Sequence, residues 1–568
     1  MKPQRTVVVF AVLCCGMRVG AAQEPTHKPI SVVEDWSTHQ VVFGEDVPRP
    51  LWGTVLKDSR FWQQYYRRHI ALPLSSFCPE EEAGRAEVRC RNLLPGRWRV
   101  AGASSQRDWS VSLGGGSGGP ISQPAKFAYD VTSGPSCTND FVVTGINVAG
   151  SSTQANIIGF NNLYVNSSGT GLCSGTAPKV AFSYFVGTGL VPSSPVVSLD
   201  GKKVAFIENI STTSSILHIV TFQTSAGNGT SATAPAVPGT GNTAVDTQVS
   251  FTASSSTAPF IDYDHDVAYV TTNGSASVVH KVAAVFRGVP VETTTGGWPA
   301  TIPSNPSISS PVYDFTSKHL FVEDATGDLD YVDDSVNPAV VHSGTFSIAS
   351  NGINATPVVV DSSRSLVYAF ANNPNGTNAL IAQANTSLGS GSLVTVNVGT
   401  GMSNVLRQVD FNNAYYSGGT FSSAFMYVVG NDSSAAQRPA LFNVGFSNSS
   451  FVLKTTTANG PLALSTGFTT GIYASPLTEF YNSTTSTDYM FVGVSGSCSG
   501  SISGGCMRSW NISTFPTTAN VNNVILAASG GTGRATVDNY STSAGTSSIY
   551  YTTLTGNTIV KATQAGLQ

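Results

Sequence analysis

The chain has 568 residues, too many for one simple core, so several domains or a repeat architecture are expected. Hydrophobic residues make up 41% and charged residues only 11%, with Gly, Ser, Thr and Asn filling the difference; this excludes a disordered chain and disfavours long helices. A formal net charge of −4 leaves no basic surface for nucleic acid and no strong attraction to a membrane.

Residues 1–22 read as an export signal. Lys2 and Arg5 supply the positive start, 7–17 the apolar stretch, and Gly20-Ala21-Ala22 the small-residue cleavage site. The apolar stretch is too short to span a bilayer. Neither Cys14 nor Cys15 follows the small residues that lipidation requires. No later segment is long and apolar enough for a membrane helix, so a secreted, periplasmic or cell-surface protein without a membrane span is expected. Six cysteines remain after cleavage, in three sequence-local pairs: Cys78 with Cys90, Cys137 with Cys173, and Cys498 with Cys506. Six cysteines allow fifteen pairings, and free or metal-binding thiols stay open, although no C-x-x-C spacing favours them. In an oxidising compartment these pairs are expected as disulfides.

Residues 23–113 form a charged extension: twelve basic and eleven acidic residues fall between 23 and 110. A helix is expected near 59–70 (SRFWQQYYRRHI). The basic residues Arg85, Arg89, Arg91, Arg97 and Arg99 are offset by Glu80, Glu81, Glu82 and Glu87, which reads as a self-paired, solvated surface rather than an anion site. The run 114–119 (GGGSGG) reads as a flexible hinge, with the boundary over 114–123 and a propeller over 124–568.

Beyond the hinge a repeat decides the fold. A small residue and Pro open an extended segment; a polar turn, a short strand with a central aromatic, another turn and a further strand follow. The unit is clearest at Ser194-Pro195 with Val204-Ala205-Phe206-Ile207. It recurs at Ala258-Pro259, Ser310-Pro311, Thr356-Pro357 and Ser475-Pro476. Weaker copies begin at Pro124 and, without the Pro, precede Phe425-Met426-Tyr427-Val428 and Ile549-Tyr550-Tyr551-Thr552. The strand aromatics Phe141, Phe206, Tyr269, Phe321, Tyr368, Tyr427, Phe491 and Tyr550 lie 47 to 65 residues apart. Strands this short cannot bury their apolar faces alone, whereas stacking small sheets face to face in a closed ring does so. The expected fold is all-β: a seven- or eight-bladed β-propeller with a short irregular or helical N-terminal extension.

The stretch SSPVVSLDGKKVAFIE, 193–208, resembles the blade motif of WD40-like, TolB-type bacterial propellers, which place Ser-Pro before a strand and Asp-Gly at the following turn. PAKFAYDV, CTNDFVV and ANIIGFNNLY are similar to the opening of uncharacterised secreted bacterial propeller proteins. The resemblance implies fold and export. It implies no reaction, since such propellers include binding, scaffolding and catalytic members.

Two acidic loops are candidate cation sites. EDATGDLDYVDD carries Asp324, Asp328 and Asp330 as candidate Ca²⁺ ligands, with Asp333 and Asp334 following; IDYDHD carries Asp262, Asp264 and Asp266. Neither has EF-hand order, and turn-capping Asp residues are the favoured reading, so no cofactor beyond a candidate Ca²⁺ is expected. The histidines show no H-x-H or H-E-x-x-H spacing. His218 and His280, in second-strand segments of neighbouring repeats, read as ordinary strand residues, with convergence at the funnel as the alternative. No G-x-S-x-G, phosphate-loop, dinucleotide or haem motif occurs. Sequons such as Asn166, Asn209, Asn273, Asn448 and Asn511 are common by chance in so Asn- and Ser-rich a chain. The expected function is a binding or scaffold module for an extracellular protein or polysaccharide, held at the central funnel or on long loops such as 224–241. The alternative is a propeller enzyme, a metal-assisted lyase or glycoside-processing enzyme with convergent carboxylates or histidines in the funnel.

Overall fold

The computed structural model describes residues 29–564 except 45–46, 48, 69–104, 132, 224–226, 304–306, 348–355, 373–378, 390, 400–405, 408, 433–437, 467–470, 483–484, 499–501, 517–523 and 542–544. The expected signal, the Cys78 and Cys90 pair and the Arg85 to Arg99 cluster lie outside the described residues.

Eight antiparallel sheets form the blades of a closed propeller. In blade two, Val196–Val197 pairs with Lys203–Ser211, then Ser214–Thr221, then Val245–Phe251, from the axis outwards. Blade four repeats this order with Val312–Asp314, His319–Glu323, Asp328–Asp333 and Val340–Ser347. The innermost strands of blades one to eight are Ala125–Ala128, Val196–Val197, Phe260–Asp262, Val312–Asp314, Val359–Asp361, Asp410–Phe411, Thr478–Asn482 and Thr536–Asp538. They start on one side of the ring, called here the upper face, and run to the lower face.

The eight repeat aromatics explain why the sheets stack. Each is at most 4% exposed, and each sits in a hydrophobic cluster that joins one blade to the next. Phe141 of blade one and Phe206 of blade two share one such cluster; Tyr550 of blade eight packs with Phe160 of blade one in another. Hydroxyls add polar stitches across the same seams. Thr536 Oγ1 donates to the Pro124 carbonyl, Thr478 Oγ1 to Ala535 O at 2.9 Å and Thr356 Oγ1 to Leu406 O at 3.2 Å. The Ser of Ser-Pro works in the other direction: Ser194 Oγ accepts from Gln123 N at 2.8 Å and Ser310 Oγ from Ala258 N at 3.0 Å. A hydroxyl placed before Pro therefore satisfies an N–H of the preceding blade.

The charged N-terminal region is built into this ring. Val32–Glu34 adds an antiparallel fifth strand inside blade one, and Val41–Val42 adds a parallel one inside blade five. The helix Ser59–Arg68 follows, starting where Asp58 Oδ1 accepts the Arg60 N–H at 2.8 Å, an N-cap geometry. Ser105–Ser112 then pairs with Thr558–Gln564 as the outermost strand of blade eight, so chain start and chain end close the ring together. The glycine run read as a hinge is tightly packed on the way to blade one. A Cβ at Gly118 would overlap the Thr552 side chain, and one at Gly119 the Pro192 carbonyl.

Disulfides join Cys137 to Cys173 in blade one and Cys498 to Cys506 in blade seven. Residues 227–241, described from the long insertion, lie along the outer edge of blade one. Ser183 N donates to Asn228 O and Phe185 N to Ala236 O, so open backbone groups of that edge are paired by the insertion.

Two stability predictions follow from these seams. Trp109, in the closing strand, is 5% exposed, donates Nε1 to Leu163 O at 3.0 Å and packs on Phe160 and Tyr550. Trp109→Ala should cost about 3–5 kcal/mol in urea unfolding. Glu323 of blade four is fully buried, with Oε2 accepting from Phe370 N of blade five at 3.3 Å; burial raises its pKa well above the carboxylate range. The folded chain thus keeps a proton that the unfolded chain loses above about pH 4, and stability falls as pH rises beyond that. Glu323→Gln keeps an acceptor for Phe370, and its advantage in thermal midpoint over the parent protein should grow from about pH 5 to pH 8.

Candidate functional site

The axis of the ring is where residues from every blade meet, and its interior is occupied by the N-terminal segment. The helix Ser59–Arg68 turns a polar stripe inwards: Arg60, Gln63, Gln64, Arg67 and Arg68 are all buried, at spacings of three and four residues. Gln64 holds the incoming turn, donating Nε2 to Thr38 O and Val41 O at 3.0 and 2.6 Å and accepting from Phe43 N at 3.0 Å. Arg60 donates to Ile261 O at 2.7 Å and lies 4.2 Å over the Phe260 ring. Arg68 grips both oxygens of Glu479 at 2.9 and 2.5 Å and stacks 3.7 Å over Tyr416.

Carboxylates and a histidine converge around these cations. Glu34 lies 3.8 Å from Arg67 and 3.7 Å from His39; burial pushes its carboxyl up, but Arg67 and His39 outweigh that and hold it below its usual range. His39 is also 3.5 Å from Asp410, whose acidity is raised by His39, Arg534 and the Tyr416 hydroxyl against the opposing effect of burial. Asp488 behaves in the opposite way, pushed well above the usual range by burial and by the neighbouring Glu479. Glu34, His39, Asp410, Glu479 and Asp488 are each at most 5% exposed, so this network sits inside the protein rather than in a cleft.

Above the network a small pocket opens on the upper face. Its floor is Trp36, fixed by an Nε1 bond to Pro259 O at 3.3 Å. Its wall is the repeat motif itself: Ser193 and Ser194 of blade two, Ala258 of blade three, Ser310 of blade four and Thr356 of blade five, with Ile121 at the rim from the glycine-rich crossing. Blades six and eight, whose innermost strands lack the preceding Pro, contribute Arg407 and Arg534 instead. Arg534 is 1% exposed and 3.5 Å from Asp410; burial lowers its pKa to about 10 despite that partner. Burial also lowers the pKa of Arg407.

The acidic loops take up other work. Asp324 Oδ1 accepts from Thr326 N, Thr326 Oγ1 and Asp328 N at 2.8 to 3.0 Å, closing the turn; Asp328 is partly exposed and Asp330 is fully buried within its strand. Asp262 accepts from Asp264 N and pairs with His265 at 2.7 Å, while Asp266 accepts from Phe286 N and Arg287 N. Among the described residues, no group of three or more His, Cys, Asp or Glu side chains is arranged to hold a metal ion. His218 and His280 are held in their own blades, the first by Glu208 and Asp246, the second by Glu292 and Thr272. Both lie on the third strand from the axis, which keeps them out of the funnel.

The pocket residues were invisible as a site because no sequence spacing joins 36, 194, 310, 407 and 534. The Ser-Pro repeat was the available signal, together with the two repeats that break it. For the axial filler, the signal was the helical period of Arg60, Gln63, Gln64, Arg67 and Arg68. Removing one partner of the buried Arg68 and Glu479 pair tests its weight: Arg68→Met should cost about 3–5 kcal/mol in chemical denaturation, and adding Glu479→Leu should recover most of it.

Among the described residues no helix is long and apolar enough to cross a membrane. No family model matches the sequence, and no curated protein sequence matches it. Among solved structures, the chain is similar to BamB from Moraxella catarrhalis, at 12% identity and a TM-score of 0.39 over 81% of this chain and 98% of that one. It is similar to Sqt1 from Chaetomium thermophilum at 13% identity and a TM-score of 0.47 over 82% and 100%. For prolyl oligopeptidase B from Galerina marginata the values are 10% and 0.35, over 74% of this chain and 55% of that one.

Proposed function

We propose that the protein is an exported propeller that acts as a binding module, taking its ligand at the axial pocket of the upper face. One observation carries this reading: the pocket brings residues from blades two to eight together at one opening, and its wall is hydroxyl, proline and guanidinium rather than carboxylate or imidazole. The two disulfides suit an oxidising compartment, which supports export. An enzyme reading asks for carboxylates or histidines open to the funnel. They do converge on the axis, but they are buried and engaged with Arg67, Arg68 and His39 of the N-terminal segment.

The test is a screen of the purified chain against arrays of glycans and of peptides, with each hit repeated on Ile121→Trp. Ile121 is only half-buried at the rim, so the larger ring narrows the mouth without entering the core. The substitution should weaken binding about tenfold or more, equivalent to 1.4 kcal/mol, with the thermal midpoint unchanged. Hits that bind Ile121→Trp and the parent protein equally overturn this assignment of the site.

A further inference from the structure

We infer that the axial pocket is an oxyanion site: its ligand presents a carboxylate, sulfate or phosphate group to Arg407 and Arg534. This rests on the binding role proposed above and adds the chemistry of the ligand.

Two guanidiniums face one small pocket whose lining contains no Asp or Glu. Among the described residues Arg407 has no ion pair, and its Nε is buried without an acceptor. The flanking sequence supplies none either, since 348–355 and 400–405 contain no Asp or Glu. Arg534 does have Asp410, but that carboxylate also serves His39 at 3.5 Å and the Tyr416 hydroxyl at 2.5 Å. Burial lowers the pKa of Arg407, which has no carboxylate beside it among the described residues.

Hydrogen-bonding groups without partners gather at the same place. Ser193, 2% exposed and lining the pocket, has an unpaired Oγ; just behind it the Ser122 hydroxyl and both amide atoms of Gln123 are buried and unpaired. Buried polar groups are normally satisfied, and charged ones most strictly so. Of these groups, Arg407 and Ser193 line the pocket itself. An oxyanion supplies acceptors on several sides and is matched by the planar fork of arginine. A metal cation is repelled by the same two charges, and an apolar ligand would leave the donors unmet.

The test is titration calorimetry with sodium sulfate and with sodium acetate, at constant ionic strength set by sodium chloride. Saturable one-to-one binding of at least one anion is expected. Arg407→Gln should weaken it about tenfold or more, Arg407→Lys should retain part of it, and Arg438→Gln, which removes a guanidinium paired with Asp432 elsewhere on blade six, should leave it unchanged. Glucuronate oligomers compared with glucose oligomers then separate an acidic group carried on a saccharide from a free ion. Absence of saturable binding, or equal binding by Arg407→Gln and the parent protein, overturns the inference. If no anion binds while a neutral ligand is blocked by Ile121→Trp, this inference falls and the binding role stands; if neither anion nor any array ligand binds, both fall.

Discussion

A ring of eight sheets cannot close to nothing at its centre, because the innermost strands are held apart by their own side chains and by the width of the blades. The gap must hold water or chain. Here it holds chain: two short strands pair with inner edges of blades one and five, and the helix Ser59–Arg68 lies against the lower ends of the inner strands. The inner strands bring Asp410 and Glu479 to the axis, and the filler brings Arg67, Arg68 and His39 to meet them and Glu34. Charge matching around the axis decides what the protein can do there. Within the funnel the axial residues form a packed polar core, with a pocket open above it.

The same logic governs the seams between blades. Each sheet is too small to exclude water by itself, so its aromatic residue is buried against the next sheet, and the hydroxyls beside the Pro residues satisfy the backbone groups that close approach would strand. A hydroxyl committed to a seam has little freedom to hold a ligand. That is why the two blades that depart from the motif matter most: without the Pro, blades six and eight place long guanidiniums where the others place small residues.

Several features were legible in residues 124 to 568. The return of an aromatic in a short apolar strand, from Phe141 to Tyr550, marked a ring of seven or eight blades; the structure has eight, and all eight aromatics are buried at blade interfaces. The pairs Cys137 with Cys173 and Cys498 with Cys506 were readable because each closes a loop within one blade. The helix in the N-terminal region was readable too, but its role was not. Arg60, Arg67 and Arg68 look like surface residues until a channel lined with carboxylates is placed around them. In the Asp-rich loops turn capping was the favoured reading over a cation site, and Asp324 and Asp262 do accept N–H groups of their own turns.

Sequence alone therefore determined the properties that depend on neighbours along the chain: strand and turn, the repeat, the burial of each blade's aromatic, and the local disulfides. The axial network and the pocket above it depend on residues hundreds of positions apart, such as Trp36, Thr356 and Arg534, and only closure of the ring brings them within reach of one another. Burial there decides chemistry as well as position. A guanidinium that would be an ordinary solvated charge on an open strand becomes, once the blades close around it, a cation in need of a counter-charge.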